Sequence, residues 1–387
     1  MTANAEWIAA ADLPGRTLSE ESRIARPFFE ALAVSAASCD EAVEPLVTNI
    51  VTDGLLLRVG QHVLPVTVNN RELGNSWVCS PYNAAVTYPL EELRHIESVT
   101  GRTALAGMVR ALGPLLRAGR GNRVVCVNNW LLSTNLYPDL VDADLQQATA
   151  AVLDRFPDHA ILFRSLNAAT NESLMANLRD TGYVLAPSRQ VYLFDGRQPS
   201  YLEHANSRRD LKLLAGTLEF RAVEHDEFQS SDFARVRELY DLLYLHKYSF
   251  HNPQFTERLL RIWHESGMMR FFGLRNESGR LDAVVGMFSL NGVLTAPVVG
   301  YETSLPQELG LYRMLMARVL RDAAADGQLL NLSAGAASFK RLRGGQAELE
   351  YSAVYCRHLP PRQRVAWQTL ALLLNRVGGP VLQRYRL

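Results

Sequence analysis

The sequence predicts an α/β (α+β) protein of two similar units in tandem, each a mixed β-sheet flanked by helices. The 387 residues are long for one domain and suit two of ordinary size. The order strand, loop, helix, strand, short helix, strand occurs once in each half of the chain. The repeat is one of order and not of residue identity, and it indicates a duplicated fold. We expect a first unit at 1–200, a basic helical segment at 201–218 and a second unit at 219–387.

The composition is that of a soluble globular protein and narrows the classes of function. Apolar residues make up 48% of the chain and charged residues 21%, and 40 Lys and Arg balance 40 Asp and Glu. A neutral chain has no global field that attracts a polyanion, so a nucleic-acid role would need a local patch. The four cysteines form no Cys-x-x-Cys pair, which argues against zinc and against a disulfide framework. No apolar run is long enough to cross a bilayer, so we expect a cytoplasmic protein without a metal.

The first half has the pattern of a complete α/β unit. A polar and aromatic stretch, Asn75 to Asn83, is dense in hydrogen-bonding side chains; we expect it to line a cleft, with a structured surface loop as the alternative. No glycine lies between Trp130 and the next helix, so this half lacks an anion-binding loop. The expected elements are a helix from about Ser19, strands at 49–58 and 62–69, a helix at 99–119, a strand at 123–130, a helix at 144–156, a strand at 160–166, a helix at 172–180 and a strand at 189–195.

The second half places two helices before a three-strand meander and a glycine loop. Asn291-Gly292 is a strong hairpin signal between the second and third strands of the meander. The expected elements are helices at 233–247 and 254–265, strands at 269–275, 283–290 and 293–300, a helix from Leu311 to about Gly327, a strand at 329–335, a basic segment at 339–345, a strand at 348–357 and a helix at 362–374.

The segment 296–313 has the pattern of an anion-binding loop. A β-prone run ends at Tyr301, a turn follows with Pro306 and Gly310, and a helix begins at Leu311. The first N–H groups of a helix have no intrahelical partner, and the helix dipole adds partial positive charge there. Gly310 would let a ligand approach that backbone, so we expect the donor end of a substrate here.

These residues resemble the GNAT acyltransferases, whose pyrophosphate loop has Gln or Arg, two residues, Gly, one residue, and Gly or Ala. Gln307 and Gly310 match, and Tyr312 stands where the small residue belongs. Phe339-Lys340 with Arg343-Gly344 is similar to a segment of FemAB-type and cellulose-biosynthesis-associated (CelD-like) acyltransferases. The resemblance implies two tandem GNAT-like domains with splayed sheets. It also implies an N-acyltransferase that uses acyl-CoA, or a related thioester, and the amine of a small-molecule or metabolite acceptor.

The resemblance also suggests which residues form the site. Glu302 is a candidate base, and Tyr301 and Tyr312 are candidate donors to the leaving group. Lys340 is expected to grip an anionic group of donor or acceptor. Each candidate also has a structural alternative: the glutamate as a solvated loop carboxylate, the tyrosines as packing residues, the cations as solvated charges and the histidine as a helix cap. The candidate donor-binding residues are Val298, Val299, Gln307, Gly310, Leu311, Tyr312 and Arg313, and the candidate substrate-binding residues are Lys340, Arg343, Ser333, His246, Tyr248, His251 and Asn252.

Two other functions stay open. FemAB-like proteins take aminoacyl groups from tRNA; the neutral charge weighs against this donor, while the basic segments near Ser207 and Lys340 weakly favour it. A non-catalytic GNAT-like binding protein is compatible with Tyr312 in the small-residue position. The sequence has no Gly-x-Ser-x-Gly, Walker, His-Glu-x-x-His or Gly-x-Gly-x-x-Gly motif, which argues against hydrolase, NTPase, metalloprotease and dinucleotide-binding functions. The oligomeric state, a homodimer included, is left open.

Overall fold

A computed structural model describes residues 5–37, 44–93 and 98–385. The strands of this part are β1 Glu6–Ile8, β2 Asp53–Val59, β3 His62–Asn69, β4 Val124–Val127, β5 Ala160–Leu166, β6 Val184–Asp195, β7 Arg221–Val223, β8 Met269–Arg275, β9 Leu281–Leu290, β10 Val293–Tyr301, β11 Leu329–Asn331 and β12 Gln346–Tyr355. Its helices are α1 Glu20–Ile24, α2 Arg26–Ala37, α3 Tyr88–Glu92, α4 Val99–Ala118, α5 Asp142–Arg155, α6 Ala168–Thr181, α7 Ala205–Gly216, α8 Phe233–Asp241, α9 Glu257–Glu265, α10 Leu311–Ala325, α11 Ala337–Arg341, α12 Pro361–Leu373 and α13 Gly379–Tyr385.

These strands form one mixed twelve-stranded sheet. Its order is β1-β2-β3-β4-β5-β12-β6-β11-β10-β9-β8-β7. The pairs β4–β5 and β10–β11 are parallel, and the other neighbouring strands are antiparallel. The halves thus share one topology, an antiparallel meander followed by one parallel pair. This confirms the predicted α/β class, with two similar units in tandem and mixed sheets.

The two halves exchange their last strands, which the sequence analysis did not predict. β12 of the second half lies between β5 and β6 of the first, and β6 of the first half lies between β11 and β12 of the second. β6 and β12 pair along most of their lengths, from Gln346 opposite Leu193 to Val354 opposite Val184. Each half therefore has one strand of the other half inserted beside its own last strand, and the expectation of a separate sheet in each half is corrected to one continuous sheet.

The parallel strands pair over a short stretch in both halves, as a splayed sheet requires. β10 pairs with β11 from Val293 to Thr295, although β10 continues to Tyr301. A bulge between Thr295 and Val298 redirects β10 at the point where this pairing stops. In the first half, β4 pairs with β5 over Val124–Cys126. The carboxyl ends of β10 and β11 therefore separate and open a gap in the sheet beside β10.

The hydrophobic core, like the sheet, connects the two halves. One cluster joins Phe28 of α2 and Trp130 of the first half to Trp263 and Phe288 of the second. The Phe28 and Trp130 rings stack with centroids 5.9 Å apart, and Trp130 lies 5.4 Å from Phe288. Large buried aromatic side chains contribute much of the burial free energy of a core. In the described part of the chain, no helix is long and apolar enough to cross a membrane.

Candidate active site

The gap beside β10 leads to the start of α10. A short 3₁₀ turn, Gln307–Leu309, precedes Gly310, which adopts the left-handed conformation with φ 70° and ψ 30°. Among the described residues, no side chain caps α10 at its N-terminus. The first N–H groups of this helix are therefore available to an anion, as the glycine loop predicts. Gln307 is exposed, while Leu311 is buried in the core.

Two of the candidate donor-binding residues have side chains that face away from the gap. Val298 is buried in the cluster that joins the halves, and Val299 is buried in the cluster beneath α10. Alternate side chains of a strand point to opposite faces of a sheet, so both faces of β10 are covered here. Only the backbone of these two valines is left to contact a donor.

Helix α7 packs against the glycine loop around Gly310 and stabilises it. Asp210 of α7 is buried, and its carboxylate accepts from Arg313 Nε at 2.6 Å and from Arg343 Nε at 2.6 Å. A Cβ on Gly310 would lie 2.6 Å from Leu213 Cδ2. The candidate donor-binding residue Arg313 therefore holds α10 against α7. The outer face of α7 carries three exposed cations that form no salt bridge among the described residues: Arg208, Arg209 and Lys212.

Lys340 and Arg343, both predicted to bind substrate, form hydrogen bonds within the protein. Lys340 is buried, and its Nζ donates to the carbonyl oxygens of Leu332 at 2.6 Å, of Ser333 at 3.2 Å and of Ala334. Three carbonyls take the three N–H groups of a protonated amine, so none is left for a ligand. Burial, with a smaller contribution from Arg189, lowers the pKa of Lys340 to about 7.

The side chain of Arg343 also forms its hydrogen bonds within the protein. It binds Asp210, donates from Nη1 to the carbonyl of Phe339 at 3.0 Å, and lies 3.3 Å from the centroid of the Phe339 ring. Ser333 takes a left-handed conformation with φ 60°, and its N–H donates to Asn331 Oδ1. The hydrogen bonds of Lys340 thus stabilise the turn that follows β11, and those of Arg343 join α11 to α7.

Glu302 is held in an ion-pair network and is a poor general base. Its Oε2 accepts from Arg235 Nη2 at 2.8 Å and from Arg280 Nη2 at 2.9 Å, and its Oε1 accepts from Ser304 Oγ at 2.7 Å. The hydrogen bond from Arg235 is the main cause that lowers the pKa of Glu302 to about 2. A carboxylate with that pKa takes a proton from an ammonium group very unfavourably. The geometry disfavours the expected catalytic role of Glu302.

The four candidate acceptor-binding residues separate into different environments. Asn252 is buried between the halves, where its Oδ1 accepts from Trp77 Nε1 at 3.0 Å and its Nδ2 donates to the carbonyl of Tyr244. His251 Nδ1 lies 3.1 Å from Glu91 Oε1, across the same interface. His246 is exposed and packs on Phe250. His251 and Asn252 therefore join the two halves, and His246 lies at the surface.

Tyr248 joins four other tyrosines at the open end of the sheet. This tyrosine cluster consists of Tyr88, Tyr244, Tyr248, Tyr301 and Tyr312. The rings of Tyr301 and Tyr312 have centroids 6.1 Å apart, and those of Tyr244 and Tyr248 are 6.4 Å apart. Burial is the first cause that raises the pKa of Tyr312, and the hydroxyls of Tyr244, Tyr248 and Tyr301 raise it further. Burial also raises the pKa of Tyr88, Tyr244 and Tyr248, so these three phenols and that of Tyr312 are neutral hydrogen-bond donors at physiological pH.

Sequence reasoning found three members of the cluster and missed Tyr88 and Tyr244. Tyr240, Tyr244 and Tyr248 are four residues apart along one helical segment, a spacing that places them on one face. Tyr240 is fully buried, so this face points into the protein. The spacing was a usable signal for Tyr244. Tyr88 comes from the first half, and nothing local in the sequence relates it to the second.

The first half lines the other side of the cluster. The Trp77 ring lies 5.6 Å from that of Tyr88, and the guanidinium of Arg189 lies 5.2 Å from the centroid of Trp77. Tyr88 also forms a hydrogen bond with Glu92. Within the predicted stretch from Asn75 to Asn83, Trp77 is the residue that contacts the tyrosine cluster, while Asn75 and Asn83 bond backbone carbonyls. The candidate site is therefore built from both halves.

A family comparison identifies the second half. Residues 203–341 match the family model described as an acetyltransferase (GNAT) domain. The match includes α7, the tyrosines of the second half, the glycine loop and the turn after β11. The chain thus contains a GNAT acetyltransferase domain, which confirms the predicted class of enzyme, an acyltransferase of the GNAT type. No curated protein matches the chain.

Several solved structures are distantly similar. A conserved protein of unknown function from Bacteroides thetaiotaomicron is 10% identical, with 91% of this chain and 99% of that one covered and a TM-score of 0.48. A tandem GNAT protein from the clavulanic acid biosynthesis pathway is 10% identical over 91% and 98%, with a TM-score of 0.38. L-PGS from Bacillus licheniformis is 16% identical over 64% and 82%, with a TM-score of 0.44. Similarities this distant transfer no substrate to this chain.

In the described part of the chain, no group of three or more His, Cys, Asp or Glu residues is placed to hold a metal ion.

Proposed function

We propose that this protein transfers an acyl group from acyl-CoA, or a related thioester, to the amine of a small-molecule acceptor. The observation that carries the proposal is the position of the tyrosine cluster. Tyr312 belongs to the first turn of α10, whose N-terminus is free to bind phosphate, and Tyr301 ends the strand beside the gap in the sheet. An anion site and two phenolic hydroxyls therefore meet at one place, an arrangement that suits the transfer of an acyl group from a phosphorylated thioester.

The exposed cations of α7 support a donor rich in phosphate. Arg208, Arg209 and Lys212 lie on the helix that packs against the start of α10. A phosphorylated donor bound at α10 would have further phosphates within the field of this surface. The whole chain is neutral, so this patch is a local feature and not part of a general excess of positive charge.

The proposed reaction forms a carbon–nitrogen bond, breaks the carbon–sulfur bond of the thioester and moves a proton from the amine to the thiolate. The acceptor amine attacks the thioester carbonyl carbon, the carbon–sulfur bond breaks, and the amine loses a proton. Tyr312 is our candidate to protonate the leaving thiolate, because burial keeps its hydroxyl in the neutral form. Glu92, hydrogen-bonded to Tyr88, is a carboxylate beside the cluster and our candidate to accept the proton of the amine.

The direct test measures thiol release from acetyl-CoA and from longer acyl-CoAs in the presence of a panel of amines, with the acylated product confirmed by mass spectrometry. Arg208→Ala/Lys212→Ala should weaken donor binding, measured by calorimetry, more at low salt than at high salt. The matched control is Arg179→Ala/Arg362→Ala, which removes the same charge from exposed arginines elsewhere. Absence of both binding and turnover with every acyl-CoA would refute the proposal.

The basic face of α7 also keeps aminoacyl-tRNA as a second candidate donor, because tRNA binding relies on contacts with phosphates. The two donors are distinguished by the same assay run with charged tRNA. A tRNA donor predicts loss of binding that grows steeply with salt over many phosphate contacts, whereas acyl-CoA predicts a shallow dependence. Turnover with aminoacyl-tRNA and not with acyl-CoA would replace the first proposal with the second.

A further inference from the structure

Arg164 is a buried cation with few partners. It lies near the end of β5 and is 6% exposed. Its Nη1 donates to Asn129 Oδ1 at 3.3 Å, and in the described part of the chain the side chain forms no salt bridge and no other hydrogen bond. A guanidinium carries five N–H donors and does not lose its proton in proteins. A buried charge with one neutral partner is costly, so Arg164 is placed to receive an anion.

The charges around Arg164 do not compensate it. Arg189 is the neighbouring cation, and Glu350 binds it through contacts of 2.7 Å to Nε and 3.0 Å to Nη2. Arg189 also donates from Nη2 to the carbonyl of Ser133 at 2.6 Å. The Arg189–Glu350 pair is therefore complete and neutral. Glu92, a further carboxylate, acts on the charge of Arg189. In the described part of the chain, Arg164 itself forms no ion pair with a carboxylate.

The sulfur atoms near Arg164 do not supply a counter-charge either. Cys79 and Cys126 are both buried and both act on the charge of Arg164. Burial raises the pKa of Cys79 to about 11 and that of Cys126 to about 12, so both thiols are neutral at physiological pH. Asn129, whose Oδ1 accepts the hydrogen bond from the guanidinium of Arg164, is an uncharged amide.

Two further buried polar atoms, one on β5 and one on the segment after β4, have no partner in the described part of the chain. Ser165 Oγ follows Arg164 directly, on a residue held in the left-handed conformation with φ 63°. Asn135 Nδ2 belongs to the segment after β4, and the same residue accepts the N–H of Trp130. Buried polar groups in native proteins are nearly always hydrogen-bonded, so their concentration at the ends of β4 and β5 is informative.

We propose that Arg164 binds a carboxylate of the acceptor, against the face of Trp77 and beside Arg189. This inference rests on the proposed acyl transfer, and it identifies the acceptor as an amine that also carries a carboxylate. A planar carboxylate accepts two parallel N–H bonds from a guanidinium. Its single negative charge matches the one uncompensated charge at Arg164. A phosphate dianion would leave excess negative charge next to Glu350.

The position relates this site to the acceptor and not to the donor. The guanidinium of Arg164 lies 5.0 Å from the centroid of Trp77, and Trp77 contacts Tyr88 of the tyrosine cluster. The donor loop and α10 belong to the second half, whereas Arg164 and Trp77 belong to the first. An acceptor held by its carboxylate in the first half would present its amine toward the tyrosines.

The first experiment observes Arg164 without requiring turnover. Arginine Nε–H resonances of the full-length protein are recorded during titration with acetate, with its neutral isostere acetamide and with inorganic phosphate. Arg164→Met assigns the resonance of Arg164. We expect a saturable shift of this resonance with acetate, a weaker one with phosphate and none with acetamide. No saturable shift with acetate would overturn the proposal, and tighter binding of phosphate than of acetate would overturn the assignment of a carboxylate.

The second experiment uses acceptor pairs that differ in the carboxylate alone, such as L-alanine with L-alaninamide and β-alanine with its amide. Arg164→Met should lower kcat/KM for the acid roughly 10- to 100-fold, the effect of losing a charge-assisted contact, and leave the amide unchanged. Arg164→Lys should restore part of the preference for the acid. The matched control is Arg155→Met, since Arg155 also stacks on a tryptophan, Trp7, but on the surface.

The two experiments separate this inference from the proposed function. A saturable acetate shift with no turnover of any acceptor supports the carboxylate site and counts against acyl transfer. Turnover that does not distinguish acids from amides, with no acetate shift, overturns the carboxylate site and leaves acyl transfer standing. Arg164→Met should keep or raise Tm, because it removes an unpaired buried charge. A lower Tm with equal losses for acid and amide would assign Arg164 to the scaffold and overturn the proposal.

Discussion

Leu213 of α7 lies against Gly310, with its Cδ2 2.6 Å from the place that a Cβ on Gly310 would take. Gly310 also has φ 70°, a backbone conformation that L-residues rarely adopt. The backbone conformation therefore favours glycine here, and a Cβ would in addition require the Leu213 side chain to shift. The sequence pattern explained the glycine through the approach of a ligand alone.

We predict that Gly310→Ala lowers the free energy of unfolding by about 1–3 kcal/mol, through backbone strain and the contact with Leu213. Leu213→Ala removes the contact and not the strain, so the double variant Leu213→Ala/Gly310→Ala should be more stable than the sum of the single changes implies. Urea denaturation of the four proteins measures this coupling. Strict additivity would show that Leu213 does not constrain Gly310.

Lys340 is predicted to matter for stability more than for activity. Lys340→Met removes the donor that the carbonyls of Leu332, Ser333 and Ala334 share, although the carbonyl of Ser333 keeps the backbone N–H of Tyr192, and should cost roughly 2–4 kcal/mol. Activity per folded molecule should be retained, because no N–H of Lys340 is free for a ligand. Arg341→Met, on the same short helix and half-buried, is the control. A variant with normal Tm and lost donor or acceptor affinity would restore the anion-gripping role expected from the sequence.

The fold was predictable to the level of element order, and the strand exchange was not. Hairpin signals such as Asn291-Gly292 and the apolar periodicities are local, so they specify which strands and helices form. The pairing of β12 with β5 and β6 joins residues about 150 to 195 positions apart, as Tyr351 with Leu166 shows. No local pattern distinguishes such a pairing from one within the same half.

The candidate site was predicted in part for a similar reason. Tyr248, Tyr301 and Tyr312 were placed by their positions relative to the helix, strand and loop of a GNAT-like unit, and the structure brings them together. The role of Lys340 is harder to predict, because a basic residue after a strand looks the same in sequence whether it faces a ligand or, as Nζ does here, three carbonyls. Arg164 gave no signal, since one arginine in an apolar strand has no local pattern that reveals its missing counter-charge.

Glu302 should contribute stability that depends on pH. Its pKa is lowered to about 2 in the folded protein from an ordinary value of 4.5, so its contribution is present above pH 4.5 and is lost as pH falls toward 2. The contribution at neutral pH is up to about 3 kcal/mol, and the side chain is only 11% exposed. Glu302→Gln should lose this stability at pH 7 and differ progressively less from the wild type below pH 4.5. Urea midpoints of both proteins between pH 2.5 and 7 measure the difference.

The same variant tests the expected catalytic role of Glu302. With Arg235 and Arg280 bound to its carboxylate, Glu302→Gln should keep kcat within about threefold for the folded fraction. Loss of a general base would instead lower kcat by roughly 100-fold or more. A large fall in kcat with little change in stability would reinstate Glu302 as the base.

Tyr312 is predicted to protonate the leaving thiolate. Its ring packs at 4.8 Å on Phe339 and at 6.1 Å on Tyr301, so Tyr312→Phe keeps these contacts and removes the hydroxyl alone. A general acid typically contributes 100-fold or more, and we expect kcat to fall by about that factor while donor affinity and Tm change little. Tyr301→Phe is the matched control within the cluster, with a smaller expected fall in kcat.

A more acidic thiol leaving group needs less protonation, so an aryl thioester donor should restore much of the lost rate in Tyr312→Phe. If the aryl and alkyl thioesters lose rate equally, the hydroxyl of Tyr312 positions the substrate and is not the proton donor.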